Sequence, residues 1–216
     1  MVRRRGFLSL SAIALTGCLG SDSGNGSSGG GIGFDEHPST RGIEDAAVIG
    51  DEDADRRIVA FEDPSCSTCA QFSSETFPRL EDDAENGEIA FYLRAVPFIR
   101  PWSETATPAL YATHERDADT FWTLLESYYQ NQGSISTENV EERTRDFLAD
   151  TSVDADEVLA DVSDGTHEDK VRTALEIFEE EGPGQTPTFF LFDEDGFVTS
   201  TSGARSYNTF ATALGL

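Results

Sequence analysis

Residues 57–69 read Arg57-Ile58-Val59-Ala60-Phe61-Glu62-Asp63-Pro64-Ser65-Cys66-Ser67-Thr68-Cys69. The first part of this stretch is rich in β-branched and aromatic residues, which predicts a buried strand that ends at Pro64-Ser65. From Cys66 onward, apolar residues recur at helical spacing, which predicts a helix as far as Leu80. Two cysteines separated by two residues therefore lie where a strand ends and a helix begins.

The segments that follow extend this start into a small α/β sheet. Residues 89–96 form a second predicted strand, and a strand–helix–strand unit of this kind is parallel and right-handed. Residues 103–181 carry apolar residues at helical spacing, and residues 188–200 then predict a hairpin. A closing helix is predicted over 207–214. The fold class is therefore α/β, with a helical insertion at about 103–183 between the two halves of the sheet.

The cysteine pair is the chemical centre of the sequence. The free N–H groups and the dipole at a helix N-terminus favour an anion, so Cys66 is expected to have a lowered pKa and to react first. Cys69, one turn into the helix, is expected to resolve the mixed disulfide. Inert buried thiols and half of a zinc site are the alternatives. The zinc alternative is the weaker, because His37, His114 and His167 are scattered without ligand spacing.

Three segments carry a resemblance to a known family. Phe61 to Cys69 resembles the active-site strand and turn of DsbA-like thioredoxin-fold oxidoreductases, in which an aromatic residue and an acid recur before the cysteines. Residues 121–132 resemble the helical insert of that family, and Gln185-Thr186-Pro187 resembles the strand start that bears its cis-proline. The resemblance covers roughly residues 45–214.

The resemblance implies a thioredoxin fold with a helical insertion and thiol–disulfide exchange with protein substrates. It implies that Cys66 is the nucleophile and Cys69 the resolving cysteine, and that Pro187 is cis and faces the pair. The backbone of Thr186 would pair with substrate like an added strand. The dipeptide Ser67-Thr68 would tune the redox potential. No metal is expected, and no cofactor other than the redox-active disulfide of the two cysteines.

Two departures from the family leave the direction of electron transfer open. Many relatives carry a buried acid six residues before the first cysteine, where this chain has Ala60. Glu62 alternates to the same side of the strand and Asp63 lies closer to the turn, and the sequence assigns the role to neither. Ser67-Thr68 also lacks the histidine of the most oxidising members. Oxidation is favoured because the outside of the cell is oxidising. A reductase for cytochrome c or metal-centre maturation, and a non-enzymatic chain-binding lipoprotein with a structural disulfide, are the alternatives.

The composition excludes some classes of partner. The chain of 216 residues has 41 acidic and 15 basic residues, for a formal net charge of −26, and Lys170 is its single lysine. Such a charge argues against nucleic-acid or anionic-membrane binding through a basic face. The acids are spread along the chain and arginine replaces nearly all lysine, which indicates adaptation to high salt and an origin in a halophilic archaeon. An ordinary acidic secreted protein is the alternative.

The N-terminus is typical of an exported lipoprotein. Residues 1–17 fit a signal peptide, in which Arg4-Arg5-Gly6-Phe7-Leu8 resembles the twin-arginine export motif. Leu15-Thr16-Gly17-Cys18 resembles a lipobox, which makes Cys18 a lipidation site; an incidental cysteine in an uncleaved segment is the alternative. Residues 18–44 are predicted to be a lipid-anchored flexible linker. The thioredoxin domain is then expected over 45–216.

These expectations define a location and a set of partners. The protein is expected on the outer face of the cytoplasmic membrane, attached to the membrane through its lipid alone. Its partners would be secreted or cell-surface proteins with thiols or disulfides, together with a membrane quinone-linked protein that regenerates the pair. An apolar groove around Phe98, Ile99, Pro101 and Trp102 is expected to receive these chains.

Overall fold

The computed structural model describes residues 31–216, and within them a five-stranded mixed sheet organises the fold. The strands are β1 (Ala47–Gly50), β2 (Arg57–Glu62), β3 (Ala90–Ala95), β4 (Thr188–Asp193) and β5 (Gly196–Ser202). Their order across the sheet is β1-β3-β2-β4-β5. The central pair β2 and β3 is parallel, with Ile58 opposite Phe91, and the other three pairings are antiparallel. The prediction of a parallel strand–helix–strand unit and of a C-terminal hairpin is confirmed.

Eight α-helices accompany the sheet in the described residues. They are α1 (Ser67–Glu75), α2 (Phe77–Glu85), α3 (Ser103–Arg116), α4 (Ala118–Asn131), α5 (Val140–Leu148), α6 (Ala155–Asp164), α7 (Glu168–Glu181) and α8 (Tyr207–Leu214). Helices α3 to α7 form the insertion between β3 and β4, which confirms the predicted helical insert at about 103–183. The structure is the thioredoxin fold with a helical insertion that the sequence predicted.

The first helix is shorter than predicted. A single helix was expected from Cys66 to Leu80, whereas α1 ends at Glu75 and α2 begins at Phe77. Pro78 lies at the start of α2, and a proline has no backbone N–H to continue the ladder of α1. The Thr76 hydroxyl at the junction donates to the carbonyl of Arg205, 2.8 Å away, which fixes the break against the loop before α8.

The two faces of the sheet bury different helices. One face, with Ile58, Ala60 and Phe91, packs against α1, α8 and the first helices of the insertion. The opposite face carries Val59, Phe61, Tyr92, Phe190 and Phe192, and packs against α7. Alternate residues of β2 therefore contribute to two cores, which explains why this strand is apolar on both sides.

The folded part begins earlier than the predicted boundary at residue 45. Residues 33–46, called here the N-terminal segment, form three short 3-10 helices against the α7 face of the sheet. Phe34 packs on Phe192 with ring centroids 5.1 Å apart, and His37 stacks on Phe197 at 4.5 Å. The predicted flexible linker over 18–44 is therefore wrong for residues 34–44, because buried aromatic contacts hold them.

A buried arginine ties the N-terminal segment to β3. Arg94 is 1% exposed, and its guanidinium donates to the carbonyls of Ser39, Arg41 and Gly42 over 2.6–3.3 Å. The same guanidinium lies 5.7 Å from the centre of the Phe61 ring. Backbone carbonyls and an aromatic face therefore solvate this buried charge, and burial lowers the pKa of Arg94.

The predicted signal peptide, its predicted twin-arginine motif and the predicted lipidation site Cys18 all lie outside the described residues. Within residues 31–216, no helix is both long enough and apolar enough to cross a bilayer.

Candidate active site

The two cysteines lie in the stretch from Glu62 to Cys69, called here the redox turn, which links β2 to α1. Cys66 occupies the N-cap of α1, and the Cys69 backbone N–H donates to its sulfur at 3.4 Å. Hydrogen bonding from Cys69 lowers the pKa of Cys66 to about 6, against the opposing effect of burial, and Thr186 and the backbone at Thr68 lower it further. The cause of the lowered Cys66 pKa is a set of donors at the helix start, where the sequence predicted it.

Cys69 has the opposite character. Its side chain has no exposed surface, and burial raises the pKa of its thiol well above the usual value, as does the hydrogen bond to Cys66. Near neutral pH the turn therefore holds one thiolate and one thiol. This asymmetry is what an attacking and a resolving cysteine require, because only the thiolate is nucleophilic.

The segment before β4 closes over Cys66. The Thr186–Pro187 peptide bond is cis, as predicted, and the Cys66 sulfur lies 3.3 Å from the Thr186 carbonyl, to which it donates when protonated. The Thr186 hydroxyl is buried without a hydrogen-bond partner among the described residues. Ser67 is exposed and Thr68 half-buried, at the start of α1, where backbone groups face the Cys66 sulfur. The structure thus brings together all six residues that the sequence assigned to the redox site.

Asp63 fixes the shape of the redox turn. It is fully buried, and its carboxylate accepts from the backbone N–H groups of Ser65 at 2.6 Å and Phe98 at 2.7 Å. It also accepts from the N–H of Ile99 and the hydroxyl of Ser103. One carboxylate therefore joins the redox turn to the loop before α3. The sequence pointed to this acid without assigning it this contact.

Glu62 places a buried acid two residues after Ala60. Its side chain is 2% exposed, and Tyr129 of α4 donates its hydroxyl to the carboxylate at 2.6 Å. Burial raises the pKa of Glu62 to about 8, opposed by this hydrogen bond and reinforced by the negative charge of Cys66. Glu62 also acts on Cys69, whose pKa its charge raises. A buried acid is therefore present next to the cysteine pair, four residues before Cys66.

A glutamine after α4 completes the support of the turn. The Gln132 amide donates to the carbonyls of Pro64 at 2.9 Å and Cys66 at 3.0 Å. The sequence grouped this residue with the helical insert without giving it a contact. Its signal was indirect: Gln132 follows Tyr129 by three residues, so a helical turn places both toward the same neighbour.

The predicted apolar groove is only partly present. Phe98 and Ile99 are exposed by 39% and 48% and lie beside the redox turn through their bonds to Asp63. Trp102, however, is 3% exposed and packs on Tyr128, so its inclusion in a surface groove was wrong. It is buried because the loop turns inward at Ser103 to begin α3.

The histidines lie away from the cysteine pair. His37 packs on Phe197, His114 on Phe121, and His167 faces Glu115 and Asp161. Over residues 31–216, no group of three or more histidine, cysteine, aspartate or glutamate side chains is arranged to hold a metal ion.

A thioredoxin family model matches residues 43–212, which is most of the chain. The chain belongs to this thioredoxin family. Among its relatives, the probable disulfide bond formation protein D of Bacillus cereus is 30% identical over 95 residues, which is 44% of each chain. Disulfide bond formation protein D of Bacillus subtilis is 25% identical over 158 residues, or 70% of each chain. The match to the first of these relatives spans less than half of its length.

Solved structures share the fold of this thioredoxin family member. The oxidised BdbD of Bacillus subtilis superposes with a TM-score of 0.69 at 22% identity, covering 81% of this chain and 95% of that one. The DsbA of Chlamydia trachomatis superposes with a TM-score of 0.62 at 20% identity, covering 77% and 86%. At these identities the likeness establishes the fold, and the chemistry has to be argued from the redox turn.

Proposed function

We propose that this protein is a thiol:disulfide oxidoreductase that acts on other proteins, in the oxidising direction. The asymmetry of the redox turn carries the proposal: the pKa of Cys66 is lowered to about 6, while that of its buried neighbour Cys69 is raised. A stabilised Cys66 thiolate stabilises the reduced form, which makes the oxidised form a better oxidant. The relatives from Bacillus are named for disulfide bond formation, which supports the same direction.

The reaction starts from the Cys66–Cys69 disulfide. A substrate thiolate attacks the Cys66 sulfur, the disulfide breaks, and Cys69 leaves as a thiolate that takes up one proton. A second substrate thiolate then attacks the substrate sulfur of the mixed disulfide, and Cys66 leaves as the stabilised thiolate. The substrate has lost two electrons and the pair has gained them. The carbonyl of Thr186, beside the Cys66 sulfur, is positioned to bond the backbone of the substrate.

Glu62 is the group through which the proton of Cys69 is exchanged. Its buried carboxyl has a pKa of about 8 and interacts with the charge of either cysteine, so it can hold the proton near neutral pH. Its side chain also lines a cavity of about 550 Å³ beside α4, on the side of Phe72 and Trp122. A proton held by Glu62 can therefore reach solvent while substrate covers Cys66.

Two measurements test this function. The reduction potential of the pair is expected between about −270 mV, as in thioredoxin, and about −120 mV, as in DsbA. A potential at or below the thioredoxin value would support the reductase, and resistance to strong reductant would support a structural disulfide. Cys66→Ala should abolish oxidation of a dithiol peptide, with Ser74→Ala, on the exposed side of α1, as the control. Exchange that survives in Cys66→Ala would disprove the mechanism.

The location is the second part of the proposal. The export motif and Cys18 support a location on the outer face of the cytoplasmic membrane, with a lipid as the anchor. A membrane redox partner reoxidises the protein there. Lipid labelling tests this directly: label should attach to the wild-type chain and be lost in Cys18→Ser. The acidic composition supports a saline environment, in which the folded fraction should rise with KCl. Full stability in dilute buffer would contradict the halophilic origin.

A further inference from the structure

The surface around Cys66 is formed by segments without acidic residues. About one residue in five of the chain is acidic. Several segments nevertheless contain no aspartate or glutamate, and four of them are 64–74, 97–103, 127–137 and 182–192. Two more, 105–114 in α3 and 196–216 from β5 to α8, also lack acids. The first four segments are far apart in sequence. They are therefore not parts of one continuous neutral region of the chain.

The fold brings these four segments together at the redox turn. Arg100 donates its backbone N–H to the Ser65 hydroxyl at 3.0 Å, which places 97–103 beside 64–74. Gln132 bonds the carbonyl of Cys66, and the Thr186 carbonyl accepts from its sulfur. Each of the other three segments thus bonds directly to the stretch next to Cys66. We call the surface that they form the acid-free face.

The exposed side chains of the acid-free face are neutral, apolar or basic. They include Ser67, Gln71, Phe98, Ile99, Arg100 and Gln185. The two acids of the redox turn, Glu62 and Asp63, are buried and bonded internally. Arg100 forms no ion pair among the described residues, whereas most other arginines of the chain bind a carboxylate, a carbonyl or an aromatic ring. The one basic side chain of this face is therefore free to meet a partner.

We infer that the acid-free face binds negatively charged polypeptide segments around the reacting cysteine, so that the substrates are acidic proteins. The inference rests on the proposed function and adds its substrate class. Close contacts between like charges are strongly unfavourable at an interface, and the acid-free face presents no acid where substrate must touch. A cationic substrate would need carboxylates as partners, and these lie on other parts of the surface. At the acid-free face it would meet only the like charge of Arg100. The chemistry of the face therefore fits an acidic chain.

Three matched peptides test the substrate class. Each has one cysteine disulfide-bonded to thionitrobenzoate, with flanking residues that are all glutamate, all glutamine or all lysine. Reduced Cys69→Ala protein attacks the peptide sulfur through Cys66, which forms the mixed disulfide and releases one thionitrobenzoate as the coloured thiolate. Each rate is divided by that of 2-mercaptoethanol with the same peptide, which removes intrinsic reactivity. The reactions are run in 1 M KCl, where the Debye length of about 3 Å leaves only local contacts.

The glutamate peptide should react about threefold faster than the lysine peptide, as one exposed ion pair allows. Arg100→Gln should remove that preference. Gln185→Glu, which adds an acid to the face, should slow the glutamate peptide about threefold, whereas Thr123→Glu, which adds the same charge on exposed α4 surface, should not. A faster lysine peptide, or a preference unchanged in Arg100→Gln, would overturn the inference. If no peptide reacted faster with the protein than with 2-mercaptoethanol, the proposed function itself would fail.

Discussion

The redox turn and the N-terminal segment are both irregular stretches packed on the same sheet, but different forces hold them. Buried polar groups join the redox turn to two distant parts of the chain, the loop before α3 through Asp63 and the end of α4 through Tyr129 and Gln132. Aromatic stacking holds the N-terminal segment, with the single buried charge of Arg94 solvated by carbonyls. The difference follows from chemistry. A site that must stabilise a thiolate and move a proton needs polar groups inside the protein, whereas a segment that only covers a sheet does not.

Among the substitutions that test this difference, the largest loss of stability is expected at Asp63. Asp63→Ala leaves three backbone N–H donors without their acceptor, so the free energy of unfolding should fall by about 3 to 5 kcal/mol. Urea denaturation of the oxidised protein measures it. Asp63→Asn keeps one oxygen acceptor in place, so its free energy of unfolding should fall by less than that of Asp63→Ala. A loss below about 1 kcal/mol in the alanine variant would show that backbone and packing alone hold the redox turn.

The charge of the redox turn should also appear in the pH dependence of stability. The pKa of Cys66 is about 6 in the folded protein, below its ordinary value near 9, so folding favours the thiolate. This contribution is complete above the unfolded pKa and is lost as pH falls through 6. The reduced form should therefore gain about 2 to 3 kcal/mol relative to the oxidised form between pH 5 and pH 8.

Parallel urea titrations of the two redox forms check this linkage. The oxidised form is the reference, because it has the same fold and lacks the titrating thiol. Cys66→Ser, in which no thiolate forms, should remove the pH-dependent gain. A stability difference between the redox forms that stayed flat from pH 5 to pH 8 would show that the thiolate is not stabilised by folding.

A substitution in the N-terminal segment should lower the stability of the protein without changing the redox turn. His37→Ala removes a buried ring that stacks on Phe197 and bonds Ser39, and should cost about 2 kcal/mol of unfolding free energy. The pKa of Cys66, followed by its rate of alkylation against pH, should not move. A shifted alkylation profile would show that the two regions are coupled through the sheet, and the contrast between them would fail.

The two regions also differ in how well the sequence predicted them. The cysteine spacing, the strand before it and the Thr186-Pro187 dipeptide are local patterns, so the fold and the positions of the six candidate residues could be predicted. The contact between Glu62 and Tyr129 joins residues 67 positions apart, and no local pattern encodes it. The N-terminal segment was missed because Gly33, Pro38 and Ser39 are typical of linkers. What holds it is aromatic packing on strands far along the chain.

The smallest and sharpest test separates Glu62 from the rest of the redox turn. The Tyr129 hydroxyl lowers the pKa of Glu62 against burial, so Tyr129→Phe should raise that pKa from about 8 by about one unit. At pH 7 the ionised fraction of Glu62 would then fall about tenfold. The step in which Cys69 must lose its proton should slow by the same factor, while attack by Cys66 should change little.

Reduced protein and 5,5′-dithiobis-(2-nitrobenzoate) resolve the two steps, because Cys66 releases one coloured thiolate and Cys69 then releases a second. Only the second phase should slow in Tyr129→Phe at pH 7, and it should recover at higher pH as Glu62 ionises. Tyr128→Phe is the matched control, because the neighbouring hydroxyl bonds Thr144 at 2.6 Å and leaves Glu62 untouched. Equal slowing in both variants would mean that the helix, and not the carboxyl, affects Cys69. An unchanged second phase in Tyr129→Phe would exclude Glu62 from the proton transfer.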